Sequence, residues 1–137
     1  MSLFTFSGQK PKNLGVKQGQ LTACPGTPNC VNSQAIASDK DHYIKPIAHS
    51  GPAQDAIATL QQIVKSMEGS TVNEATDTYL YAEFASKIMG FVDDVEFYAV
   101  PDGSVIHVRS AARLGKSDLG VNRKRIESIR QEFQSRA

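Results

Sequence analysis

Cys24 and Cys30 bracket Pro25-Gly26-Thr27-Pro28-Asn29, a loop stiffened by two prolines. In an oxidising compartment a disulfide is the leading reading, and closing so short a loop stabilises a fold only modestly. In a reducing cytoplasm free structural thiols are favoured. A zinc site would add His42 and His49, but both the cysteine and histidine spacings are wider than usual zinc-ligand gaps, so no metal is expected. A dithiol oxidoreductase would need C-x-x-C, and a cysteine nucleophile would need a base, for which His42 is nearest in sequence.

The other chemistry-bearing side chains fall on alternate positions of strand-like segments. They are Tyr79, Tyr81 and Glu83, then Asp94, Glu96 and Tyr98, then His107 and Arg109, with Arg113 just beyond. Carboxylates beside a histidine could move protons: Asp93 or Asp94, Glu96 and His107 would do acid–base work while Arg109 or Arg113 orients an anion. Tyrosines among charges also suit a polar ligand without chemistry, since they combine flat apolar area with directed donors and acceptors. No Ser-His-Asp signature and no phosphate-cradling glycine loop occurs. Catalytic residues are therefore left unassigned and no cofactor is implied.

These residues need a sheet to hold them. Segments 70–76, 78–86, 92–100 and 104–111 alternate with period two and are joined by short turns, which implies antiparallel neighbours. Leu80, Ala82 and Phe84, with Val95, Phe97 and Ala99 and with Ile106 and Val108, form the core side. A one-residue slip would put His107 and Arg109 in the core, so Phe97 should face Val108 and Glu96 should face Arg109. A helix carries Ala53, Ile57, Leu60, Ile63, Val64 and Met67 on one stripe, with Ser50 as candidate cap and Gly69 as stop. A second, near 119–135, follows the turn at Lys116-Ser117-Asp118 and carries Ile126, Ile129 and Phe133. Tyr43–Ile47 reads as an edge strand, because Pro46 excludes a central one. The expected fold is α+β, a two-layer sandwich of order β-α-β-β-β-β-α. Its antiparallel sheet has four or five strands and both helices on one face. Residues 41–137 would form this domain, with 1–40 an irregular arm packed on it.

Length and charge bound the function further. The 137 residues suit one domain, and a net charge of +1 gives no global attraction to acidic polymers. The segment 113–130 is locally basic, with six positive side chains against Asp118 and Glu127. Ion pairs such as Arg123–Glu127 along a solvated helix account for it, and without interleaved aromatics no nucleic-acid binding is expected. No apolar run is long enough to cross a bilayer. Residues 1–7 are only briefly apolar and Lys10 and Lys12 follow them, the reverse of a signal peptide. The chain as given reads as cytoplasmic; a removed N-terminal signal would place it in a periplasm or plastid lumen.

Three blocks resemble an uncharacterised bacterial and plastid family, domain-of-unknown-function family 1499. They are Leu14-Gly15-Val16 with Cys24-Pro25 and Pro28-Asn29-Cys30-Val31-Asn32-Ser33; Phe91-Val92-Asp93-Asp94-Val95-Glu96-Phe97; and His107-Val108-Arg109-Ser110-Ala111-Ala112-Arg113 running on to Ile126. Asn32 and Ala112 stand where many members carry serine. The resemblance implies one shared design but no agreed activity, cofactor or catalytic residue. The expected function is a non-enzymatic small-ligand-binding or accessory domain. It would use a concave polar face that the arm could close over: Tyr81, Glu83, Asp94, Glu96, Tyr98, His107, Arg109 and Arg113, with a small anionic or polar ligand. The alternatives are the acid–base enzyme above and a structural or protein-interaction domain whose partner is unknown.

Overall fold

The computed structural model describes residues 8–86 and 90–136. The chain runs β1 (Cys30–Asn32), β2 (Ile47–Ala48), α1 (Ala53–Lys65), β3 (Ser70–Ala75), β4 (Tyr79–Ala85), β5 (Val92–Ala99), β6 (Val105–Ala112) and α2 (Val121–Ser135). One antiparallel sheet holds six strands in the order β1-β6-β5-β4-β3, with β2 pairing the other half of β6. The class is α+β, with one strand more than expected.

The difference lies before α1. The stretch 1–40, expected to be irregular, contributes β1, which pairs Cys30 with Ala111 and Asn32 with Arg109. The expected strand over Tyr43–Ile47 is displaced. Tyr43 makes only an isolated bridge to Asn32, and pairing with β6 begins at Ile47. Pro46 has no N–H to give to a ladder, so the strand forms on the far side of it.

The long strands follow their alternation. Phe97 faces Val108, Ala99 faces Ile106, Tyr98 faces His107 and Glu96 faces Arg109, the expected register. α1 buries Ala56, Ile57, Leu60, Ile63 and Val64 on one stripe. Its N-cap position is Pro52 rather than Ser50, and no side chain caps it. Proline suits a helix start because its missing donor would be unpaired there anyway. Gly69 then turns the chain into β3 with φ 81°, and a side chain there would collide with the Ala85 carbonyl. α2 buries Ile126, Ile129 and Phe133 beside α1 on the same sheet face, against Leu80, Val95, Phe97, Ile106 and Val108. Each such fully buried side chain contributes about 1.5–3 kcal/mol of transfer free energy.

The opposite face is covered too. Leu14, Val16 and Leu21 pack on Tyr79, Tyr81 and Tyr98 in a second apolar cluster. The sheet is therefore sandwiched between helices and arm, and the polar face is not an open platform.

Candidate functional site

Under the arm, the charges of β4, β5 and β6 satisfy one another. Tyr81 Oη donates to Asp94 Oδ1 at 2.6 Å. Arg113 grips the same carboxylate twice, Nη2 to Oδ1 at 2.8 Å and Nε to Oδ2 at 2.9 Å, and reaches Glu83 at 2.6 Å. Two residues further along β5, Glu96 Oε2 accepts from Tyr79 Oη at 2.5 Å and from the Gly15 amide at 2.7 Å. Asp94 and Glu96 are buried, as are Tyr79 and Tyr81. Burial, with the adjoining carboxylates, pushes both phenols far above their usual range, so they are permanent donors. Burial also raises Glu96, against the pull of Tyr79 and Gly15. Arg113 is raised instead, chiefly by its bonds to Asp94.

Arg109 is less well served. It is buried, its Nη1 lies 3.8 Å from Glu96 Oε1, and neither its Nε nor that Oε1 has a hydrogen-bond partner. Burial lowers its pKa, with Glu96 opposing. A cavity of about 410 Å³ lies beside it, lined by Asn13, Cys24, Pro25, Asp94 and Arg113.

The sequence-derived candidates thus divide. Tyr81, Glu83, Asp94 and Arg113 form one cluster, and Glu96 and Arg109 a second with Tyr79. Arg113 therefore reaches the arm side of the sheet rather than the helix side. Tyr98 lies partly exposed at the arm cluster. His107 stands apart. Its Nδ1 shares a hydrogen bond of 2.9 Å with Ser33 Oγ, which also accepts from the Val108 amide. Burial lowers the His107 pKa.

Cys24 and Cys30 are joined as a disulfide, their Cα atoms 5.7 Å apart. With both sulfurs in the disulfide, neither is a free nucleophile for which His42, the nearest histidine in sequence, would serve as base. His42 Nε2 bonds the Thr27 carbonyl at 2.9 Å and its Nδ1 bonds Asp39 at 2.8 Å, so both nitrogens act as donors. Those two bonds, Thr27 first, raise its pKa. Among the described residues no group of three or more His, Cys, Asp or Glu side chains is placed to hold a metal ion.

A second site lies at the sheet end, where β4 and β5 meet the β6–α2 connection. Phe84, Phe91, Val92, Leu114 and Val121 wall a pocket of about 340 Å³. Arg125 stands in it, bonded to Asp93 at 2.8 Å, to Asn122 Oδ1 at 2.9 Å and to Ser110 Oγ at 3.3 Å. Its guanidinium lies 4.7 Å from the Phe84 ring centroid. Behind it Asn122 donates to Asp118 at 2.8 Å, and Asn29 ties to the Gly115 carbonyl at 2.7 Å. Burial raises the Asp93 pKa and Arg125 restrains the rise. The arrangement is a greasy pocket with one braced ion pair.

Residues 20–133 match the family model described as Protein of unknown function (DUF1499), which is most of the chain. The chain belongs to that family. No curated protein matches it.

In this DUF1499 chain the blocks around Phe91-Val92-Asp93 and Ser117–Arg125 converge on the end pocket. Sequence reasoning placed Asp93 among acid–base candidates and Arg125 in a basic helix, without joining them. It proposed Arg123–Glu127 as an ion pair. Instead Glu127 pairs with Arg130, and Arg123 reaches the Lys40 and Asp41 carbonyls. Ser33, Ser110 and Asn122 fall within the blocks of the family resemblance, but their bracing role carried no signal, because buried polar braces have no period of their own. Gly15 acts only through its backbone.

Proposed function

We propose that this chain is a non-enzymatic small-ligand-binding module whose ligand occupies the pocket at the β5–α2 end. One observation carries the reading: Phe84, Phe91, Val92, Leu114 and Val121 wall a pocket around the braced ion pair of Arg125 with Asp93, with Glu68, Ser86, Ser117 and Asp118 completing the lining. Small-molecule sites are generally built this way, mostly apolar with a few placed polar groups. The ligand class that fits is a small amphipathic molecule, its apolar part against Phe84 and Val121 and its anionic or polar end at Arg125. The alternative of an acid–base enzyme is less well supported, because Asp94 and Glu96 are held by Tyr81, Arg113, Tyr79 and Gly15. The cavity beside Arg109 offers a small polar ligand a second place, but the unpartnered Nε is itself enclosed. The disulfide favours an oxidising compartment, a periplasm or lumen, over a reducing cytoplasm.

The test uses 8-anilinonaphthalene-1-sulfonate, an aromatic anion whose fluorescence rises in apolar pockets. The native protein is expected to enhance it saturably at one site, and Ala112→Phe, which fills the pocket from β6, is expected to abolish the enhancement. Val121→Trp at the mouth serves as a second variant should the first misfold. Absence of enhancement by the native protein, or enhancement unchanged in a folded filled variant, overturns the reading.

A further inference from the structure

The end of the molecule around that pocket has a second property, independent of whether the pocket is filled. Among the described residues five large hydrophobic side chains are exposed; three of them, Phe91, Leu114 and Val121, line this pocket, and a fourth, Leu119, lies two residues before Val121. They come from the entry to β5, the segment after β6 and the start of α2, so the fold assembles the patch. Exposed apolar groups of this kind, drawn together from separate segments, mark interaction surfaces more than chance leftovers.

Leu119 is the clearest member. It is 88 % exposed, and its backbone lies in the left-handed region at φ 55°, a conformation that a leucine adopts only when its surroundings impose it. The imposing contacts are visible. Asp118 accepts from the Gly120 and Asn122 amides and from the Asn122 side chain. The turn is thus fastened to α2 while it holds an apolar side chain in water. Neither the exposure nor the backbone conformation stabilises the fold.

The charges select the occupant. Two of the carboxylates at this end are turned inward, Asp118 into the helix start and Asp93 onto Arg125, while Glu68 at the pocket edge is exposed. The exposed side chains flanking Leu119 and Val121 include Lys116 and Lys124, both cationic. Apolar side chains flanked by two lysines match the interfacial layer of an anionic bilayer, where acyl chains take the former and headgroups the latter.

We infer that this end is a lipid-docking surface, on which Phe91, Leu114, Leu119 and Val121 enter the interface of an anionic bilayer and Lys116 and Lys124 meet its headgroups. Binding would be peripheral and reversible, since no helix among the described residues is long and apolar enough to cross a membrane.

Co-sedimentation of the full chain with vesicles tests this. Binding is expected to phosphatidylcholine vesicles containing about 30 % phosphatidylserine and to weaken with added salt and with phosphatidylcholine alone. Leu119→Asp should lower the affinity about tenfold or more, and Lys116→Glu with Lys124→Glu should lower it as well. Leu119 lines no part of the pocket, so Leu119→Asp should keep its dye binding, whereas Ala112→Phe should lose the dye and keep the vesicles. That cross-pattern separates failure of this inference from failure of the ligand reading. An unchanged thermal midpoint for Leu119→Asp shows the variant folded. The inference is overturned by native protein that stays in solution, by Leu119→Asp that binds undiminished, or by sedimentation that occurs equally without vesicles and so reports self-association or a protein partner.

Discussion

At the scale of single residues, this protein pairs one buried charge completely, Asp94, and another, Arg109, only in part. Asp94 receives Tyr81 and both ends of the Arg113 fork, so removing any one partner would leave an uncompensated group in the interior. Alternation made the face of these residues legible in the sequence, and the pairing of Glu96 with Arg109 followed from register. Their burial was not legible, because a polar sheet face reads the same whether water or a covering segment lies over it. The role of His42 was not legible for a related reason: its partners, a carbonyl at Thr27 and Asp39, are set by loop geometry. Those bonds make His42 bind its proton more tightly folded than unfolded. A raised pKa contributes stability that is complete below the unfolded value near 6.5 and is lost as pH climbs through the folded value. The stability advantage of native protein over His42→Gln should therefore shrink as pH rises above about 6.5. Urea denaturation over that rise measures it, and an advantage that stays constant would show that the imidazole is not charged.

At the scale of elements, long segments announced themselves and short ones did not. β4, β5 and β6 have enough alternation to fix side and register. β1 has three residues and β2 two, too few for any period to emerge, and both exist because β6 offers them an edge. The start of α2 was legible in Lys116-Ser117-Asp118, although its mechanism was not. Gly120 occupies the N-cap position without a side chain to cap the helix, and Asp118 supplies the acceptor from two residues earlier. Burial of Asp118 acts to raise its pKa, but the bonds from Asn122 and Gly120 outweigh that and hold it below 3.8. Its contribution is thus present above that unfolded value and lost as pH falls through the lower folded one. Asp118→Ala should cost about 1 kcal/mol at neutral pH, the usual worth of a helix-start acceptor. The cost should vanish in strong acid, where the native carboxyl is protonated as well. Equal destabilisation at neutral and acid pH would assign the loss to packing instead.

At the scale of the whole molecule, the sheet is held between two unlike layers. The helices cover one face with a continuous apolar core, while the arm covers the other with three apolar side chains, Leu14, Val16 and Leu21, and the Gly15 amide. Three apolar residues without a period are a weak sequence signal and a modest adhesive, so the arm needs further fastening. The disulfide supplies it by closing the loop that leads from the arm into β1, which in turn pairs with β6. Closing a loop this short is worth about 2 kcal/mol in the chain-entropy account. Cys24→Ser with Cys30→Ser should lose roughly that much stability. Local effects should exceed the global one, because the helix-side core is untouched while the arm loses its anchor. Amide exchange separates the two. In the double variant the Gly15 amide, which donates to Glu96, and the Leu21 amide, which donates to Gln34, should exchange faster by a larger factor than those of β5. Exchange that quickens equally in arm and sheet would mean that the arm opens only when the whole domain unfolds. The polar face would then never meet solvent in the native state, and Arg109 would be beyond the reach of any ligand that does not enter through its own cavity.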